Sequence, residues 1–208
     1  MPARGRKKAM NTETTSPPSG LASPSCYALP PVLDACCGGR MMWFDREDSR
    51  ALFVDRRCEV VERSVKAAEK RFKPINVNPD VQADFTSLPF PDASFSLVVF
   101  DPPHGFFGAT SFMAKEYGTL RQPDDWQEML KGGFAECFRV LKANGTLIFK
   151  WNETDVPVSQ VLALTDAKPL FGHKSGKQMK THWIAFLKSQ GEAAETADEK
   201  PDGQAENA

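Results

Sequence analysis

The sequence predicts an α/β fold built on a mostly parallel seven-stranded sheet with an antiparallel last hairpin. Three observations predict it. Short apolar runs alternate with helix-like segments between residues 30 and 188, and strands separated by helices form a parallel sheet with right-handed crossovers. Successive runs end in polar tips, as strands do at the ligand-binding rim of an open sheet. The last two runs are joined by only about ten residues, too few for a parallel return, so they should pair antiparallel.

The elements run in order along the chain. Pro31 to Cys36 (PVLDAC) is a short apolar run that leads into Cys37-Gly38-Gly39. Arg40 to Arg50 has room for a short helix only, and Ala51 to Asp55 (ALFVD) is the second strand. Glu59 to Phe72 (EVVERSVKAAEKRF) has helical composition, and Pro74 and Pro79 punctuate the segment after it. Val81 to Phe85 is the third strand and Ser94 to Phe100 the fourth. Asp124 to Leu141 reads as an amphipathic helix despite Gly132 and Gly133, with Asp124 or Asp125 as its cap and Gly145 just past its end. Thr146 to Trp151 is the fifth strand, Val158 to Thr165 a short helix, and Lys168 to Phe171 and His182 to Lys188 the two closing strands.

The 208 residues, 41% hydrophobic and 25% charged, suffice for one domain with a full core. Residues 1–29, rich in Ser, Thr, Pro and Gly, and the acidic residues 189–208 have little to bury and are expected to be disordered, leaving 30–188 as the folded domain. Arg4, Arg6, Lys7 and Lys8 with one acid, Glu13, sit in the first tail, and six acids with one base, Lys200, in the last, so the remainder holds 21 basic and 20 acidic residues. That balance gives no support for strong nonspecific binding of nucleic acid. The five cysteines, Cys26, Cys36, Cys37, Cys58 and Cys137, are odd in number and lack C-x-x-C spacing, which suggests neither a disulfide framework nor a zinc site. Three histidines without Cys or carboxylate at ligand spacing argue against any metal. No apolar run spans a membrane and the basic start is not followed by an apolar segment, so the expectation is a reduced, cytoplasmic protein.

Chemistry concentrates at the strand tips. Gly38 and Gly39 after the first strand allow close approach to a ligand, although the spacing is neither G-x-G-x-x-G nor a P-loop. Asp55, ending the second strand, can accept both hydroxyls of a ribose. Asp84 can accept from an adenine amino group while Phe85 flanks the ring. Each residue alone is equally a cap or a turn residue, but four such tips in series point to one ligand. The fourth is VVFDPPH, where two prolines that cannot donate to a ladder stop the strand at Asp101.

This series resembles the class I S-adenosylmethionine-dependent methyltransferases, whose fold is Rossmann-like. DACCGG is similar to their first loop, Asp55 to their second-strand acid and Asp84 to their third-strand acid. LPFPDASFSLVVFDPP is similar to their fourth-strand approach, and ECFRVLKANGTLIFKW to their helix, turn and fifth strand. The resemblance covers about 30–188 and departs at Cys36-Cys37, where glycine is more usual. It implies S-adenosylmethionine as cofactor, Asp34 near the methionine amino group, and the backbone of Cys36 to Gly39 around the methionine and ribose.

Members that methylate ring-conjugated nitrogens carry Asp/Asn/Ser-Pro-Pro followed by an aromatic residue. Such a nitrogen is a poor nucleophile because its lone pair is delocalised. Asp101 and the Pro102 carbonyl, held rigid by Pro103, can take its N–H bonds and aim the lone pair at the methyl group. Here the fourth residue is His104, which can stack on the target, act as a base, or serve as a turn residue bonded to a nearby carbonyl. Phe106 and Phe107 can supply a stacking face or pack beneath the loop. Lys150 to Glu153 lines the same edge, and the loop Gly172 to Trp183, with three lysines and two histidines, can hold phosphates or be a solvated hairpin.

Only 19 residues separate His104 from the helix at Asp124, leaving no room for a separate target-recognition domain. The segments DACCGGRMMWFD, VVFDPPH and FKWNET also resemble small methyltransferases carried by phages and prophages. The resemblance implies methylation of a nucleobase amine, adenine N6 favoured, in DNA or RNA. Two alternatives are methylation of a protein or small-molecule nitrogen or oxygen, and a noncatalytic subunit that binds cofactor or nucleic acid. The sequence leaves oligomeric state open.

Overall fold

The computed structural model describes residues 28–61, 74–108, 110–120 and 125–190; the two tails and most of the expected Glu59 to Phe72 helix lie outside them. The strands are β1 (Val32–Asp34), β2 (Ala51–Asp55), β3 (Glu59–Val61), β4 (Ile75–Val77), β5 (Val81–Gln82), β6 (Phe95–Phe100), β7 (Leu141–Asn152), β8 (Phe171–Ser175) and β9 (Thr181–Leu187). The helices are α1 (Phe112–Tyr117), α2 (Trp126–Val140) and α3 (Val158–Leu162). Seven strands form one sheet in the order β5-β2-β1-β6-β7-β9-β8. All neighbours up to β7 are parallel, and β9 runs antiparallel to both β7 and β8. This is the mostly parallel, Rossmann-like sheet with a reversed last strand that the alternation of segments predicts.

The order places the site. From β1 the chain moves outward through β2 to β5, then returns across the sheet to β6. The reversal between β1 and β6 is the switch point at which open sheets bind ligands. The register sets Asp34 beside Phe53 and Val99, and Phe100 beside Phe149. The carboxyl ends of β1, β2, β6 and β7 therefore share one rim.

The core explains why these runs are strands and that run a helix. Val98, Val99 and Phe100 are buried, as a central parallel strand covered on both faces requires. Helix α2 buries Trp126, Met129, Leu130, Gly133, Phe134, Cys137 and Val140, a stripe at helical spacing. Phe134 meets Phe100 at 5.4 Å and Phe149 at 4.9 Å between ring centroids. Gly133 lets the helix lie against the sheet: a Cβ there would lie 2.6 Å from Phe100 Cζ and 2.8 Å from Phe85 Cδ2.

Several expectations are corrected. Glu59–Val61 is not helical but pairs antiparallel with Ile75–Val77, and Val61, Ile75 and Val77 bury together with Phe112 packed against them. Residues 40–50 form turns instead of a short helix. The third strand stops at Gln82, so Asp84 and Phe85 stand in the following turn. Strand β7 starts at Leu141, directly after α2, with a register irregularity opposite Phe95 to Leu97. Asn144 there adopts φ 59°, a left-handed conformation that asparagine tolerates. Asp125 occupies the cap position of α2 without a side-chain cap bond. The closing strands shift to Phe171–Ser175 and Thr181–Leu187, so His173 and Lys174 belong to a strand and not to the loop, while His182 is in the last strand as expected.

Candidate active site

A cavity opens at the shared rim. Its lining includes Ala35 to Gly39, Asp55, Asp84, Phe85, Asp101 and Pro103 from the strand ends, and Glu116, Tyr117 and Gly118 from the end of α1. Of the residues that the sequence singles out, Cys36, Gly38, Asp55, Asp84, Phe85, Asp101 and Pro103 line this space, whereas Asp34, Pro102 and His104 are not part of its lining.

The β1 loop turns back at Gly38, whose φ of 51° is left-handed, and its N–H donates to Asp55 Oδ2 at 2.9 Å. A Cβ on Gly39 would meet Ile75 Cγ2 at 2.7 Å, so the second glycine lets the loop lie against β4. Asp55 Oδ1 accepts from Arg57 N at 2.9 Å and Arg57 Nε at 3.2 Å. Arg57 also donates through Nη1 to the Lys115 carbonyl at 2.9 Å, tying α1 to the rim. Asp84 Oδ1 accepts from the Thr86 N–H and hydroxyl, and Phe85 is buried edge-on against Phe100 at 5.3 Å.

Asp34 is fully buried behind the cavity lining. Trp43 Nε1 donates to its Oδ2 at 2.7 Å and Cys36 N to its Oδ1 at 3.4 Å. Burial, with Asp101 and Asp55 adding to it against these hydrogen bonds, pushes the Asp34 carboxyl up to about 7. Burial also raises the Cys36 thiol and pushes Cys37 up to about 12, so both meet a ligand as neutral thiols.

The corner after β6 holds a contact that motif reading misses. Lys150 Nζ lies 2.6 Å from Asp101 Oδ2. Phe100 and Phe149 are register partners on adjacent parallel strands, so the next residue of each emerges side by side. Trp183 is the β9 partner of Lys150 and holds its ring 5.5 Å from the same Nζ. The end residues of neighbouring strands, compared one position past the pairing, are the signal that could have found this pair.

No family model matches the chain, and no curated protein does. Among solved structures the chain is similar to a protein from Pyrococcus horikoshii, with 17% identity over 76% of this chain and 81% of that one and a TM-score of 0.46. It is also similar to the 1,6-didemethyltoxoflavin-N1-methyltransferase of Burkholderia thailandensis, solved with 1,6-didemethyltoxoflavin and S-adenosylhomocysteine bound, at 14% identity, 76% and 71% coverage and a TM-score of 0.44.

Around the corner, Pro102 is buried and Pro103 packs where a Cβ on Gly118 would come within 2.9 Å of its ring. His104 is half-buried between Tyr117 and Trp151, each 6.2 Å away between ring centroids. Burial pushes its imidazole below the usual value, with Asp101 opposing. Phe106 packs against the main core, and its N–H donates to Asp155. Phe107 folds over Gly105, and its N–H donates to Thr119 Oγ1 at 3.0 Å. Both residues remain partly exposed.

The basic segment before β9 is a strand pair whose charges are partly committed. Glu153 Oε1 accepts from Lys174 Nζ at 3.1 Å, and Glu153 Oε2 lies 2.9 Å from Nε2 of the buried His182. The His182 contact first and Lys174 second hold the Glu153 carboxyl down at about 2. Among the described residues no group of His, Cys, Asp and Glu could hold a metal, and no helix is long and apolar enough to cross a membrane.

Proposed function

We propose that the chain is an S-adenosylmethionine-dependent methyltransferase acting on an exocyclic amine of a nucleobase, adenine N6 favoured, in DNA or RNA. The observation that carries this reading is that Asp101 and Pro103 wall the same cavity as Gly38, Asp55, Asp84 and Phe85. The donor set suits the cofactor. Carboxylates at successive strand ends fit hydroxyls and an amino group, and a buried ring flanks a flat base.

On this reading Asp55 and the Cys36 to Gly38 backbone hold the ribose side, and Asp84 with Phe85 holds the adenine. Asp34 acts from behind the lining, through the loop it anchors by its bonds to Cys36 and Trp43. When bound, S-adenosylmethionine would supply an electrophilic methyl group on a sulfonium whose S–CH3 bond breaks to leave a neutral thioether, so no metal is required. Asp101 and the Pro102 carbonyl accept the target N–H bonds and turn its lone pair toward the methyl group. The nitrogen becomes positively charged as the N–C bond forms and must then lose a proton. The proton leaves along the N–H bond that Asp101 accepts, and His104, kept neutral by burial, stands beside the corner against the Pro102 backbone.

The test is mass spectrometry of nucleosides from nucleic acid incubated with the protein and isotopically labelled S-adenosylmethionine. The expected product is a methylated adenine that disappears with Asp101→Ala, while cofactor binding falls only modestly. Label found only in protein or small molecules, or undiminished transfer by the variant, would overturn the assignment.

A further inference from the structure

We propose that Lys150 and Asp101 together read the edge of the target base. Asp101 accepts from the amine to be methylated, and Lys150 donates to the ring nitrogen beside it. The inference rests on the nucleobase reading above and names which face of the base that site selects.

Lys150 belongs to β7, outside the Asp-Pro-Pro-His segment, yet its ammonium is 2.6 Å from Asp101 Oδ2 and both residues line the cavity. Both side chains are largely withdrawn from solvent, 26% and 17% exposed, and Trp183 flanks the ammonium. That setting makes the pair stiffer and less screened than an ion pair on an open surface. A carboxylate offers about four acceptor positions and an ammonium three donors. Their mutual contact uses one of each, which leaves an acceptor beside a donor at the rim.

An exocyclic amine next to an unprotonated ring nitrogen presents the matching donor and acceptor on one planar edge, as adenine does with N6 and N1. A protonated alkylamine, such as a peptide lysine, presents donors only and brings a positive charge up to Lys150, which repels it. Lys150 is therefore a specificity-determining residue that also positions Asp101.

Calorimetric titration of the full chain, its cofactor cavity first saturated with S-adenosylhomocysteine, tests this with adenosine and 1-deazaadenosine, in which a C–H replaces N1. The wild-type protein should bind adenosine roughly tenfold or more tightly than the deaza analogue. Lys150→Met should weaken adenosine to the level of the analogue, and Lys150→Arg should keep part of the preference. A lysine that merely props up Asp101 would affect both nucleosides alike and leave their ratio unchanged. That result overturns the proposal, as does equal or undetectable binding of the two by folded wild-type protein. A preserved preference without Asp101-dependent methyl transfer would instead sink the methyltransferase reading and leave the edge-reading pair standing.

Discussion

A carboxylate takes whatever donors its surroundings bring within reach, so the same residue type plays different parts at each strand tip. Asp55 is held by a backbone N–H and an arginine, Asp84 by a threonine, Asp101 by a lysine, and Asp34 by a tryptophan deep in the protein. Asp34 has the clearest consequence for stability. Its folded carboxyl titrates near 7 while the unfolded chain titrates near 3.8. Between those values the folded state keeps a proton that the unfolded state has released, so stability falls as pH rises through the window. Denaturant unfolding should give a lower stability at about pH 8 than at about pH 5, and Asp34→Asn, which still accepts from Trp43, should flatten that difference. A wild-type slope unchanged in Asp34→Asn would show that another group carries it.

Among the elements, α2 shows how tightly the sheet dictates residue choice. Glycine inside a helix costs up to about 1 kcal/mol relative to alanine, yet Gly133 sits where Phe85 and Phe100 leave no room for a methyl group. Gly133→Ala should therefore destabilise by about 1–2 kcal/mol net, overpacking outweighing the gain in helix propensity, and thermal unfolding would register it as a lowered Tm. A raised Tm would mean that the helix can shift away. The same closeness explains what sequence reading could and could not reach. Residues 51–55, 95–100 and 126–140 announce themselves by apolar pattern because their pattern is their burial. Glu59–Val61 reads as helical from local composition and becomes a strand because Ile75–Val77 pairs with it, a tertiary contact that local propensity does not contain. Lys150 could be placed at the substrate edge, but its pairing with Asp101 stayed hidden for a related reason: the two are 49 positions apart, and only the strand register brings them together.

At the scale of the molecule, sheet order does the assembling. The switch between β1 and β6 turns a set of strand ends, each ambiguous by itself, into walls of one cavity, and Arg57 links the end of α1 to that rim. The strand tips were legible in the sequence as a series, while α1, Arg57 and Trp43 were not, because a short surface helix and side-chain latches leave no periodic trace. If the cavity is a cofactor site, ligand binding should stabilise the whole domain by mass action and depend on its rim. The most direct measurement is calorimetric titration of S-adenosylmethionine into the wild-type protein and Asp55→Ala, with circular dichroism confirming that both are folded. We predict saturable binding at one site per chain, weakened roughly tenfold or more in the variant; absence of uptake by the folded wild-type protein, or equal affinity in the two, would contradict the account.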